Sequence, residues 1–151
     1  MLTFSLLENT SNHSKIYGSW IIDRLGLTTD DYLVFASGAM VAHGLMDKNE
    51  DIDLYIRPRK FKELIKKGLL VKHEKPEGGI TYYSDKSGVC DCYDTLTNIN
   101  GKSEKWWFER TEIIDGIRVQ SIDSLKNFYK ALYKKRGKEK HKKRLDMLEK
   151  L

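Results

Sequence analysis

The segment Asp51-Ile52-Asp53-Leu54-Tyr55-Ile56 constrains this chain more than any other. Its first residues alternate acid and apolar, and side chains alternate across a pleated strand. Ile52, Leu54 and Ile56 therefore belong on a core side, while Asp51 and Asp53 share the opposite face. Two carboxylates that close repel, so the pair normally implies a metal cation between them. Twelve residues separate Asp51 from an upstream Ser37-Gly38, a small turn that leaves room for a phosphate to approach backbone N–H groups. Together these features suggest a site for Mg²⁺ and a nucleoside triphosphate, with Ser37 and Gly38 on the phosphate side.

Hydrophobic spacing supplies the surrounding elements. Ile16, Trp20, Ile21 and Leu25 predict a helix over 14–26, and Tyr32–Ala36 reads as a short buried strand. A brief helix follows Ser37-Gly38 with Met40, Val41 and Leu45 inward. Pro58 opens a helix over 59–69 with Phe61, Leu64, Ile65 and Leu69 as its stripe. Leu70–His73 and Ile80–Ser84 predict strands flanking the Pro76-Glu77-Gly78-Gly79 turn, and Val89–Tyr93 predicts another. Residues 95–110 have no clear period. Ile113–Gln120, broken at Asp115-Gly116, predicts a hairpin. Leu125, Phe128, Tyr129 and Leu132 mark a helix over 122–135, and Gly137 separates it from a last helix carrying Leu145, Leu148 and Leu151. The expectation is one α/β (α+β) domain over 1–151. A small mixed sheet bears the aspartates on one face and helices on the other, and 122–151 form a short helical C-terminal extension.

A third carboxylate is expected from a neighbouring strand, because Mg²⁺ takes oxygen ligands and joins carboxylates to phosphates and water. Asp91 lies in a run that otherwise reads as buried, and a charge there needs a partner. Asp51, Asp53 and Asp91 are thus the candidate metal ligands and catalytic residues. Cys90 and Cys92 share the opposite strand face, where core packing outweighs zinc binding, which would want four ligands. Two cysteines so close do not readily bridge within one strand, which favours a reduced, cytoplasmic setting. His43 reads as a packed or exposed structural histidine. Of Trp106, Trp107 and Phe108, at least one belongs in the core; the others either fill core or stack a base. No apolar run approaches the roughly 20 residues of a membrane span, and the N-terminus lacks the basic start of a secretory signal. Net charge is +5, and residues 134–144 hold eight Lys or Arg against one Glu. Such a run is either a solvated helix face or a site for an anion, triphosphate or nucleic acid.

Phe35-Ala36-Ser37-Gly38-Ala39-Met40 through Asp51-Ile52-Asp53-Leu54 resembles the core motif of the polymerase-β-like nucleotidyltransferase superfamily. Val119, Ser121, Leu125, Lys130, Arg136 and Lys140-His141 resemble the C-terminal part of its small antibiotic-type and toxin-type members. Two departures stand out: Ser37 occupies a turn position where many relatives have Gly, and His141 and Arg144 stand where related toxins carry acids. The resemblance, which spans about residues 14–151, implies that a nucleoside monophosphate passes from an NTP to an acceptor hydroxyl, releasing pyrophosphate. It implies two Mg²⁺ ions, with Mn²⁺ as an alternative, held by Asp51, Asp53 and Asp91. Asp91 would hold the activating metal; Lys130 and Arg136 either neutralise the triphosphate or the leaving group or are surface residues of a basic helix. RNA or tRNA, a protein side chain and a small molecule all suit as acceptor, with the basic 134–144 run leaning toward RNA. The alternative from a different class is a non-catalytic nucleic-acid-binding or regulatory protein that keeps the same fold.

Overall fold

A computed structural model of the chain describes residues 14–74 and 81–151. The Pro76-Glu77-Gly78-Gly79 turn and the N-terminal segment read against a secretory signal lie outside the described residues. Seven strands form one sheet: β1 Tyr32–Phe35, β2 Ile52–Ile56, β3 Val71–Glu74, β4 Thr81–Ser84, β5 Cys90–Tyr93, β6 Thr111–Ile114 and β7 Ile117–Gln120. Their order is β3-β4-β5-β2-β1-β7-β6. β2 runs parallel to β5 and β1 parallel to β7, while the other neighbours are antiparallel. The helices among the described residues are α1 Trp20–Arg24, α2 Ser37–Ala42, α3 Pro58–Lys66, α4 Thr97–Asn100, α5 Glu104–Glu109, α6 Ile122–Arg136 and α7 Glu139–Glu149. This is the mixed α/β architecture that the periodicity predicts.

β1 is an interior strand buried along its whole length, which explains why its sequence is a continuous apolar run rather than an alternating one. On one face Val34, Ile52, Leu54, Cys90 and Cys92 make a core floor. The segment around Ile16–Gly18 and α2 pack there, since a Cβ on Gly38 would lie 2.8 Å from Val34 Cγ1 and 3.3 Å from Ile16 Cγ2. The other face carries Phe35, Asp53, Tyr55, Asp91 and Tyr93. Helices were expected only on the face away from the aspartates, and here the structure differs. The Phe35 ring meets Trp107 of α5 and Phe128 of α6 edge-on, and Tyr55 meets Phe108. Large apolar side chains next to the aspartates needed cover, and the poorly periodic 95–110 segment supplies part of it as two short helices.

Three local expectations are also corrected. The helix over 14–26 shrinks to α1, because Asn49 captures the backbone of Tyr17 through both its N–H and its carbonyl, each at 2.9 Å. Gly18 then turns at φ +89°, where any Cβ would strike Ile52 and Val89 at 2.9 Å. α3 buries Phe61 and Leu64 but leaves Ile65 and Leu69 exposed. In the last helix Leu148 is buried, Leu145 partly so, and Leu151 exposed. No helix among the described residues is long and apolar enough to cross a membrane.

Candidate functional site

Strand register brings the first two carboxylates together. Asp53 on β2 lies directly opposite Asp91 on parallel β5, and Phe35 at the end of β1 lies directly opposite Asp53 on its other side. Residues opposite each other share a face, so the two carboxylates are side by side on it. Asp51 precedes β2, two residues before Asp53. Asn49, 95% buried, donates to the Asp51 carbonyl at 2.8 Å while holding Tyr17, which ties the entry of β2 to the N-terminal segment. All three carboxylates act on one hydroxyl: burial, then the charges of Asp53, Asp91 and Asp51, push Tyr93 well above its ordinary value.

The donor chemistry fits a hard divalent cation. Mg²⁺ typically uses one or two carboxylates and fills the remaining positions with phosphate and water, and Asp53 with Asp91 supply two. A ready-made group of three is another matter. Among the described residues, no cluster of three or more His, Cys, Asp and Glu side chains is placed to hold an ion.

The turn upstream is built differently from the expectation. The residue in the left-handed region is Ala36, at φ +62°, the N-cap of α2. A non-glycine residue there is strained, and such strain persists only where surroundings enforce it. Gln120, fully buried on β7, enforces it: its Oε1 accepts the Ala36 N–H at 2.8 Å, and its Nε2 donates to Ser124 Oγ at 3.1 Å. The space that Gly38 provides is used by the core, against Val34 and Ile16, and not kept open on the phosphate side. Ser37 is buried beside it, two residues from Phe35 and hence near the Asp53 end of the sheet.

From the C-terminal part, the structure gives a contact to Arg144, which the sequence marked only as standing where related toxins carry acids. Arg144 on α7 donates to the Tyr129 hydroxyl on α6 at 3.2 Å and lies over its ring. Burial raises the pKa of that hydroxyl, Arg144 opposes the rise, and Asp53 adds to it. The only signal for this contact in the sequence was a tyrosine in an apolar stripe, whose hydroxyl needs a partner when buried. Lys130 and Arg136, the cations expected at the triphosphate, are both exposed on α6. Burial, then the charges of Lys140, Arg136, Arg144 and Lys138, pull the His141 imidazole down to about 4.

The remaining candidates find structural roles. Trp107 is fully buried against Phe35 and Phe128. Arg57 stacks 3.9 Å over Phe108 and pairs with Glu104, which also accepts the Tyr55 hydroxyl. Trp106 is half-buried under the Arg110 guanidinium at 4.5 Å. His43 Nε2 lies 2.7 Å from the Gln120 carbonyl, within the hydrogen-bonded group that holds the turn. Cys90 and Cys92 are buried free thiols whose sulfurs lie 3.3 Å apart; that contact, then burial, raises the Cys90 pKa. One cleft of about 260 Å³, lined by Tyr55, Asp94, Thr97, Glu104 and Trp107, opens beyond the C-terminal end of β5.

Comparison with known proteins adds no identity: no family model, no curated protein and no solved structure matches the chain.

Proposed function

We propose that the chain is a Mg²⁺-dependent nucleotidyltransferase that moves a nucleoside monophosphate from an NTP to an acceptor hydroxyl and releases pyrophosphate. The observation that carries this reading is the in-register Asp53–Asp91 pair beside the strained turn at Ala36. In the reaction the acceptor oxygen attacks the α-phosphorus, the bond to the bridging oxygen breaks, and pyrophosphate leaves. Asp53 and Asp91, with Asp51 at the head of the same face, would hold Mg²⁺, or Mn²⁺ on the same oxygen ligands, which would supply positive charge to the phosphates and lower the acceptor's pKa. Asp91 also receives the acceptor proton. Ser37, with the N–H groups of the turn, faces the phosphates, and Gly38 keeps α2 close enough to the sheet to present them. Arg144, held by Tyr129, contributes positive charge on the Asp53 side. The two buried thiols suit a reducing, cytoplasmic setting.

The test is pyrophosphate release and transfer of label from each α-labelled NTP, with Mg²⁺ and with RNA, protein extract or small-molecule acceptors. Wild-type protein should release pyrophosphate with one acceptor class. Asp53→Asn should not, while keeping its circular dichroism and melting temperature, because losing one of two neighbouring carboxylates also relieves repulsion. Activity retained in Asp53→Asn removes that residue from the mechanism, and silence of the wild type with every NTP and acceptor refutes the reading. A non-catalytic nucleic-acid-binding protein is the second reading. It is favoured by the basic run at 134–144, which no ion pair among the described residues neutralises.

A further inference from the structure

The eight cations of residues 134–144 fall on two helices that meet at Gly137, and the helix field treats the two groups oppositely. Lys134, Lys135 and Arg136 close α6, where the negative end of the helix dipole stabilises cations, so helix stability alone accounts for them. α7 is the reverse case. Lys138 is its N-cap, and Lys140 and Lys142 fall in its first turn, at the positive end, where cations destabilise; Lys143 follows directly. Glu139 is the one acid in that stretch.

Among the described residues, none of these four lysines pairs with a carboxylate, and all four are exposed. Packed between the two helices is His141, 96% buried, with its Nδ1 unpartnered. The same cations help keep it neutral, as expected where positive charge is concentrated and uncompensated. A stack of like charges set against a helix dipole lowers stability. An external polyanion would relieve that repulsion, and its phosphates would release their own counterions. At its inner end the patch continues into Arg144, which donates to the Tyr129 hydroxyl, a group that also feels the charge of Asp53.

We infer that the corner between α6 and α7 docks the phosphodiester backbone of a nucleic acid and leads that strand to the carboxylate site. The acceptor hydroxyl then belongs to a polynucleotide, a step that rests on the transferase reading, whereas the docking surface itself does not. Lys142 and Lys143 lie outside the machinery assigned above, so they isolate the surface.

The experiment measures binding of fluorescein-labelled 20-nucleotide RNA and DNA single strands to the full chain across a salt series. Wild type is compared with Lys142→Glu/Lys143→Glu, and NTP affinity is followed in parallel. Each phosphate contact contributes a slope of about −0.7 in log K against log salt for single strands. The double reversal should flatten the slope by about 1.4 and weaken binding at least about tenfold near 0.1 M salt. NTP affinity and the circular dichroism spectrum should stay unchanged. The RNA and DNA arms tell which backbone is preferred. Unchanged affinity and slope in the reversed variant, or no binding by wild type at low salt, overturns the inference. Loss of strand binding in a protein that turns over no NTP leaves the docking surface standing and removes the transferase reading. Transfer of label to a small molecule by a protein that binds no strand does the opposite.

Discussion

His141 offers the sharpest thermodynamic test of how the two C-terminal helices are packed. The residue is 96% buried, its ring 6.1 Å from the Tyr129 ring, and its Nδ1 has no hydrogen-bond partner among the described residues. Burial, then Lys140, Arg136, Arg144 and Lys138, lower its pKa to about 4, against an ordinary value near 6.5. Above pH 6.5 the imidazole is neutral in folded and unfolded chains alike, so it leaves stability untouched there. As pH falls below 6.5, the unfolded chain takes up a proton that the folded chain refuses, and stability is lost until the folded pKa is reached. Linkage from these two values gives a loss of about 2 kcal/mol by pH 5 and about 3 kcal/mol by pH 4. Carboxylates titrate in the same window, so the comparison is with His141→Leu, which fills similar space and carries no proton. Urea unfolding at pH 7.5 and pH 5 should show wild type losing about 2 kcal/mol more than the variant, a midpoint difference of roughly 1 M. Two curves that fall in parallel with pH would refute the buried, cation-surrounded placement of this ring.

Gln120→Met keeps the volume but strips the Ala36 N–H and the Ser124 hydroxyl of partners now at 2.8 and 3.1 Å. We expect about 2 kcal/mol of lost stability in chemical denaturation, and weaker NTP binding by calorimetry as the Ala36 turn relaxes; unchanged values for both would show that Gln120 does not hold the turn. Gly38→Ala places a methyl 2.8 Å from Val34 Cγ1 in the central strand. Overpacking costs about 1–3 kcal/mol and better helix propensity returns about 1 kcal/mol, so a net loss of about 1 kcal/mol and a lower melting temperature are expected. A stabilised variant would mean that α2 stands further from β1 than described.

Much of the fold could be read from local pattern. The alternation at Asp51–Ile56 and the isolated Asp91 predicted two strands with their acids on one face, and both strands formed close to those limits. Leu125, Phe128, Tyr129 and Leu132 predicted the buried side of α6, and all four are buried. These readings worked because strand and helix periods are local, and each element needs only one apolar side to be placed. Residues 95–110 resisted for the same reason: two helices of four and six residues are too short to show a period.

The candidate site divides along a similar line. The sequence by itself determined which acids share a face, where the small turn falls, and that positive charge gathers near the C-terminus, since all three follow from residue type and spacing along the chain. Only the tertiary structure decided that β2 and β5 are parallel neighbours in a register that sets Asp53 beside Asp91. It alone assigned the strained φ to Ala36 under the hold of Gln120, 84 residues away. The link from Arg144 to Tyr129 was likewise a tertiary outcome. Register, clamping and helix–helix contact depend on which distant side chains meet when the core closes, and no periodicity within a segment encodes that partner.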